Sequence, residues 1–82
     1  MSETLCHAMN RLAGTLDANG VPTLDSQGAA NVWAGTEGMD LVEALNFQAG
    51  NVLPDFKELQ GVLNQLAGTT GLGVDGAAAA IV

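Results

Sequence analysis

The pentapeptide Asn-x-x-Ala-Gly is written into this chain four times, as Asn10-Arg11-Leu12-Ala13-Gly14, Asn31-Val32-Trp33-Ala34-Gly35, Asn46-Phe47-Gln48-Ala49-Gly50 and Asn64-Gln65-Leu66-Ala67-Gly68. Aligning the copies aligns what precedes them. Leu5, Ser26, Leu41 and Leu59 share one column, Ala8, Ala29, Ala44 and Val62 the next, and Met9, Ala30, Leu45 and Leu63 a third. Leu12, Trp33, Gln48 and Leu66 form a fourth. With the repeated Ala, these columns fall at the i, i+3, i+4, i+7, i+8 spacing that gathers side chains on one face of an α-helix. Each copy therefore reads as one short amphipathic helix. Gly14, Gly35, Gly50 and Gly68 read as its stop, because the residue just past a helix end commonly takes a left-handed conformation that glycine reaches without strain.

A unit of this size cannot bury its apolar face alone and must stack on its neighbours. The expectation is an all-α chain of four to five short helices in a compact repeat array or small bundle, forming one domain over residues 1–82. The helices are placed at 3–13, 25–34, 40–49 and 55–67, with room for a short fifth over 75–82. At 82 residues the core is marginal. Alanine supplies much of the 48% hydrophobic content, and it lets helices approach closely while contributing little transfer free energy. Contacts with other subunits would supply the missing burial.

Cap signals refine the boundaries. Ser2 or Thr4 offers a hydroxyl cap to the first helix, with Glu3 where the helix dipole favours an anion. Asp25 is placed as the cap of the second. Asp40 and Glu43 form an Asp-x-x-Glu sequence like a capping box at the third. Leu53-Pro54-Asp55 is read as the opening of the fourth and longest helix, proline being tolerated in a first turn. Asp75 is read as a cap for the fifth. Residues 14–24 form the longest connection, in which Asn19-Gly20 signals a tight turn and Pro22 restrains the exit, so a small hairpin or ordered loop is expected there. Trp33 reads as a core anchor, and Gln48, polar in an otherwise apolar column, marks the third helix as less deeply buried.

Charge and motif content narrow the function. Two basic residues, Arg11 and Lys57, stand against nine acidic ones, for a net charge of −7. Nucleic acid and anionic membrane surfaces are therefore not expected partners. No apolar run approaches the length of a membrane span, and no secretory signal pattern is seen. Cys6 is the single cysteine, which fits synthesis in a reducing compartment. No catalytic, cofactor or metal residue is assigned. Cys6 and His7 are neighbours on the first helix but lack an orienting third group, so a small thiol beside a surface imidazole is the reading preferred over a nucleophile pair. Gly71-Leu72-Gly73-Val74-Asp75-Gly76 matches Gly-x-Gly-x-x-Gly, yet a helix rather than a strand precedes it and no long helix follows, so it is read as a loop. Asp25-Ser26 resembles the arm-bearing serine motif of acyl carrier proteins over two residues only, with Gln27 in place of the expected Leu.

The most specific polar feature is the Asn column, Asn10, Asn31, Asn46 and Asn64, at the edge of the inner face. Each side chain is expected to bond backbone groups left open at a neighbouring helix end or in the adjoining loop. The uncharged end of the chain, closing on Ile81 and Val82, is too apolar to stay in water and is expected either to fold back or to insert into a neighbouring subunit, which makes these two residues candidate interface positions.

Ala29-Ala30-Asn31-Val32-Trp33-Ala34-Gly35-Thr36 and Val62-Leu63-Asn64-Gln65-Leu66-Ala67-Gly68-Thr69-Thr70-Gly71-Leu72 resemble blocks of the ALNxxAGTTGL type found in virion structural proteins of tailed bacteriophages, notably of actinobacterial hosts, where they recur in minor tail and other particle proteins. The similarity covers most of residues 25–82. It implies a particle component, in tail or head, made in the host cytoplasm and working through contacts with other virion proteins, as a homo-oligomer or bound to a protein lattice. It names no catalytic residue. A soluble helical adaptor or binding module is the alternative class, and an acyl-carrier-like protein a third.

Overall fold

Five helices, α1 (Leu5–Ala13), α2 (Ser26–Ala34), α3 (Leu41–Ala49), α4 (Leu59–Ala67) and α5 (Val74–Ala80), make up the computed structural model, which describes residues 3–82. Each helix packs on the next, and α5 returns to pack on α1, so the helices form a closed cycle. The radius of gyration is 11.8 Å, close to the ~12 Å of a fully compact chain of this length. The body is flat, 39 × 28 × 15 Å. Its least dimension leaves little room for more than one helix layer with its side chains.

Four helices have the same nine-residue length and the same glycine stop, and three of them share a side-chain cap at the start. Thr4, Asp25 and Asp40 accept hydrogen bonds from the backbone N–H groups of His7, Gly28 and Val42, satisfying donors that a first helical turn leaves open. Ser2 lies outside the described residues. Asp40 caps on its own: Glu43 stands in the first turn, where the dipole favours it, without a bond back to the cap. At the other end Gly14, Gly35, Gly50 and Gly68 all stand at φ between 72° and 81°. At the first of these stops the Gly14 N–H bonds Arg11 O and the Thr15 N–H bonds Asn10 O, the two-bond closure that satisfies the last carbonyls of a helix. The same pair recurs at the other three glycines.

The starts of the fourth and fifth helices differ from the sequence expectation. The fourth helix begins at Leu59, not at 55, and is no longer than its siblings. Pro54 lies in the preceding loop after a cis peptide bond. The helix cannot start earlier because the backbone of Lys57 is engaged elsewhere, as described below. Glu58 then stands at its N-cap without a side-chain bond. The fifth helix starts after Gly73, so Asp75 falls in its first turn and does not cap it. Its carboxylate instead accepts the Leu5 N–H at 2.8 Å, tying α5 to the start of α1. The tail folds back: Ile81 is buried in the core, and only Val82 is presented to solvent.

Each helix contributes neighbouring positions to the core: Ala8 and Met9, Ala29 and Ala30, Ala44 and Leu45, Val62 and Leu63, then Ala77 and Ala78 with Ile81. Six of these eleven are alanine, so the helices lie close and the buried volume per helix is small. Trp33, Leu12 and Leu66 are only partly buried around the core, and Gln48 is exposed. Residues 14–24 form an ordered, hairpin-like loop in which Leu16 pairs with Pro22 across a turn centred on Ala18-Asn19, one residue before the expected Asn19-Gly20 pair, with the Gly20 N–H closing it onto Asp17 O.

Candidate functional site: the asparagine clasps and the surfaces they fix

The four asparagines, almost fully buried (0%, 7%, 0% and 8% exposed in chain order), hold the array together by one repeated geometry. In the third copy the Asn46 amide nitrogen donates to Val42 O, one turn back, and to Lys57 O, both at 2.9 Å. Its carbonyl oxygen accepts the Lys57 N–H at 2.8 Å and the Asn51 amide at 2.9 Å. Both donors and both lone pairs are used. The side-chain amide thus pairs with a backbone residue as two peptide groups would.

The same clasp joins Asn10 to Leu24, Asn31 to Met39 and Asn64 to Leu72, with distances of 2.9–3.1 Å. In every case the clasped residue stands immediately before the N-cap of the next helix. Thr15, Thr36 and Thr69 take the place of Asn51, each donating its hydroxyl to the clasp oxygen. One side chain therefore fixes where its own helix ends and where the next begins. Among the described residues no buried side-chain nitrogen or oxygen lacks a partner. α5 carries Ala79 at the corresponding place, six residues after its N-cap.

The clasped column, Leu24, Met39, Lys57 and Leu72, escaped the sequence reading. Its members lie 14, 8, 11 and 8 residues after their asparagines, and Lys57 breaks the apolar character that Leu24, Met39 and Leu72 share. The signal that could have found them is the pair of equal six-residue linkers, Gly35-Thr36-Glu37-Gly38-Met39-Asp40 and Gly68-Thr69-Thr70-Gly71-Leu72-Gly73, against which the other two linkers are insertions.

The remaining candidates are dispersed. Cys6 donates its thiol to Leu24 O at 3.5 Å, beside the Asn10 clasp, while His7 turns to the Glu3 carboxylate. The two neighbours serve different contacts. Arg11 grips Glu3 through Nε and Nη2 at 2.9–3.2 Å, which is the chief reason the Glu3 carboxyl is held below its ordinary value of 4.5. No group of three His, Cys, Asp or Glu side chains placed to hold a metal ion occurs among the described residues. Ser26 is the first residue of α2, partly buried behind the Asp25 cap. Gly71 and Gly73 lie in the turn that leads from α4 to α5. Among the described residues no helix is long and apolar enough to cross a membrane. An open groove of about 470 Å3 runs beside α4, lined among others by Glu58, Gln60, Asn64, Gln65, Thr69 and Thr70. Comparison with protein-family models, with curated proteins and with solved structures finds no match to this chain.

Proposed function

We propose that this chain is a non-catalytic structural or accessory component of a tailed-phage particle, acting through contacts with other virion proteins. One observation carries the contact part of the reading. The specific polar side chains of the repeat are spent inside the fold, on four clasps that fix helix ends, while Val32, Phe47, Val52 and Leu53 stand more than half exposed on the outside. A scaffold that secures its own backbone and leaves large apolar groups in water is suited to display a surface rather than to perform chemistry. The particle part rests on the resemblance of the Asn31 and Asn64 blocks to virion proteins. The test is mass spectrometry of particles of the encoding phage purified through a density gradient. A fixed copy number per particle is expected, and particles free of the chain would reject the reading.

The adaptor reading draws on the open groove beside α4 as a seat for an extended segment of a partner. It requires a folded monomer at all concentrations, which light scattering combined with circular dichroism would measure.

A further inference from the structure

The two linkers that depart from the six-residue pattern do so in opposite ways. Residues 14–25, between α1 and α2, carry six extra residues that bond to one another: Asp17 accepts the N–H groups of Asn19 and Val21, and Gly20 donates back to Asp17 O. That insertion satisfies itself. Residues 50–58, between α3 and α4, carry three extra, Val52-Leu53-Pro54. Val52 is 70% and Leu53 74% exposed, beside α3, whose Phe47 is 55% exposed. These side chains are absent from the buried core.

Nor is the exposed loop loose. Its root, Asn51, is tied to the Asn46 clasp at 2.9 Å and exchanges two amide bonds with Gln65 of α4 at 2.8 and 3.0 Å. The Asp55 N–H closes the turn onto Val52 O at 2.8 Å. Apolar side chains are thus held out in a fixed arrangement, which lowers the ordering cost of binding something to them.

We propose that Phe47, Val52 and Leu53 form a docking surface for a partner protein segment that presents apolar side chains flanked by lysine or arginine. Charge decides the occupant. Exposed Glu43 lies one turn before Phe47 on the same helix face, and exposed Asp55 and Glu58 follow the bulge, with Lys57 the one base among them. A second copy would bring like charges together on a chain of net charge −7, whereas a basic partner meets complementary potential. The proposal rests on the reading that this chain works through protein contacts, and it names the surface.

The probe is a synthetic amphipathic helical peptide of leucine and lysine, with a leucine and glutamate peptide of the same pattern as control, titrated by calorimetry at physiological salt. Saturable one-to-one binding of the lysine peptide is expected, with at least tenfold weaker binding by Val52→Ser/Leu53→Ser at unchanged net charge and unchanged circular dichroism. Val21→Ser in the self-satisfied loop should bind as the parent does. Equal binding by parent and double variant, or equal binding of the two peptides, would overturn the proposal. So would self-association that the double variant abolishes, since the occupant would then be a second copy. None of these outcomes depends on whether purified particles contain the chain, so the two readings fail separately.

Discussion

Four junctions of the helix cycle are tied by a neutral, buried amide; the fifth, where α5 meets α1, is tied by charged groups near the surface. At the first kind, an asparagine pairs with a backbone residue out of reach of water. At the second, Asp75 accepts the Leu5 N–H, and Arg11, while gripping Glu3, reaches toward Ala78 O at 3.5 Å. The difference teaches how a thin core can be sufficient. Nine-residue helices are marginal alone, and six of the eleven core residues are alanine. Pairing each helix end with the next helix start couples their formation, so the array folds as a unit along the clasped path. The seam that closes the cycle adds a contact between the chain ends that salt and acid can weaken.

The comparison is broken most severely by Asn46→Asp. The variant keeps the shape but loses both donors and sets a carboxylate against the carbonyl oxygens of Val42 and Lys57. A buried charge facing acceptors costs about 3–5 kcal/mol, so the variant should be largely unfolded at neutral pH. Burial raises the pKa of such a group, so protonation on moving from pH 7 toward pH 5 should restore part of the fold. Circular dichroism at the two pH values measures this. A variant as stable as the parent at pH 7 would show that the clasp is not a donor pair.

Asn46→Ala comes next. It strands the N–H and C=O of Lys57, at the usual 1–3 kcal/mol for an unpaired buried group. Lys57 itself is exposed, and water can reach part of the gap, so about 2 kcal/mol is expected, a fall in Tm of roughly 10 °C for a domain of this size. Urea titration checks it. Asn64→Ala, at a slightly more open site, should cost less than Asn46→Ala; the reverse order would mean that burial does not set the strength of the clasp.

A smaller step is expected at the stops. An added Cβ meets nothing within 4 Å at Gly50, so Gly50→Ala carries only the penalty of holding alanine at φ 81°, about 1–2 kcal/mol. Gly14→Ala, equally free of neighbours, should lose the same amount. A loss several times larger at one of them would place an unseen contact there.

These effects sort what could be read from the sequence. Helix ends were legible because Asn-x-x-Ala-Gly carries both the inner-face period and the left-handed stop in adjacent letters, and three helix starts were legible because Thr4, Asp25 and Asp40 are good caps. The fourth start was misplaced because Pro54 is a good first-turn residue in isolation. What moved it to Leu59 is a long-range bond from Asn46 to Lys57, and no local propensity encodes that. The partner of Asp75 was hidden for the same reason, since it lies 70 residues away. The chemistry of the Asn column was visible, but its receptors were not, because they contribute backbone and leave their side chains free to vary.

The smallest effect belongs to the seam, and its sign separates it from the clasps. Glu3 is held below its ordinary 4.5, first by the hydrogen bonds from Arg11. A carboxyl depressed in the folded state contributes stability above its unfolded pKa, and that contribution is lost as pH falls through the folded value. The loss therefore begins near pH 4.5 and grows below it. Glu3 is partly open to solvent, so the pair is worth no more than about 1 kcal/mol, and Asp75→Ala should remove about 0.5–1 kcal/mol with the Leu5 bond. Glu3→Gln should flatten the acid limb of the stability curve, and 1 M salt should weaken the parent while leaving Glu3→Gln less affected. Amide exchange gives the local readout. The Leu5 N–H should exchange faster in Asp75→Ala, while the amides of Leu45 and Leu63, in the clasped core, keep rates set by global unfolding. If Leu45 and Leu63 accelerate in step with Leu5, closure of the cycle is part of the cooperative core and the two kinds of junction are energetically one.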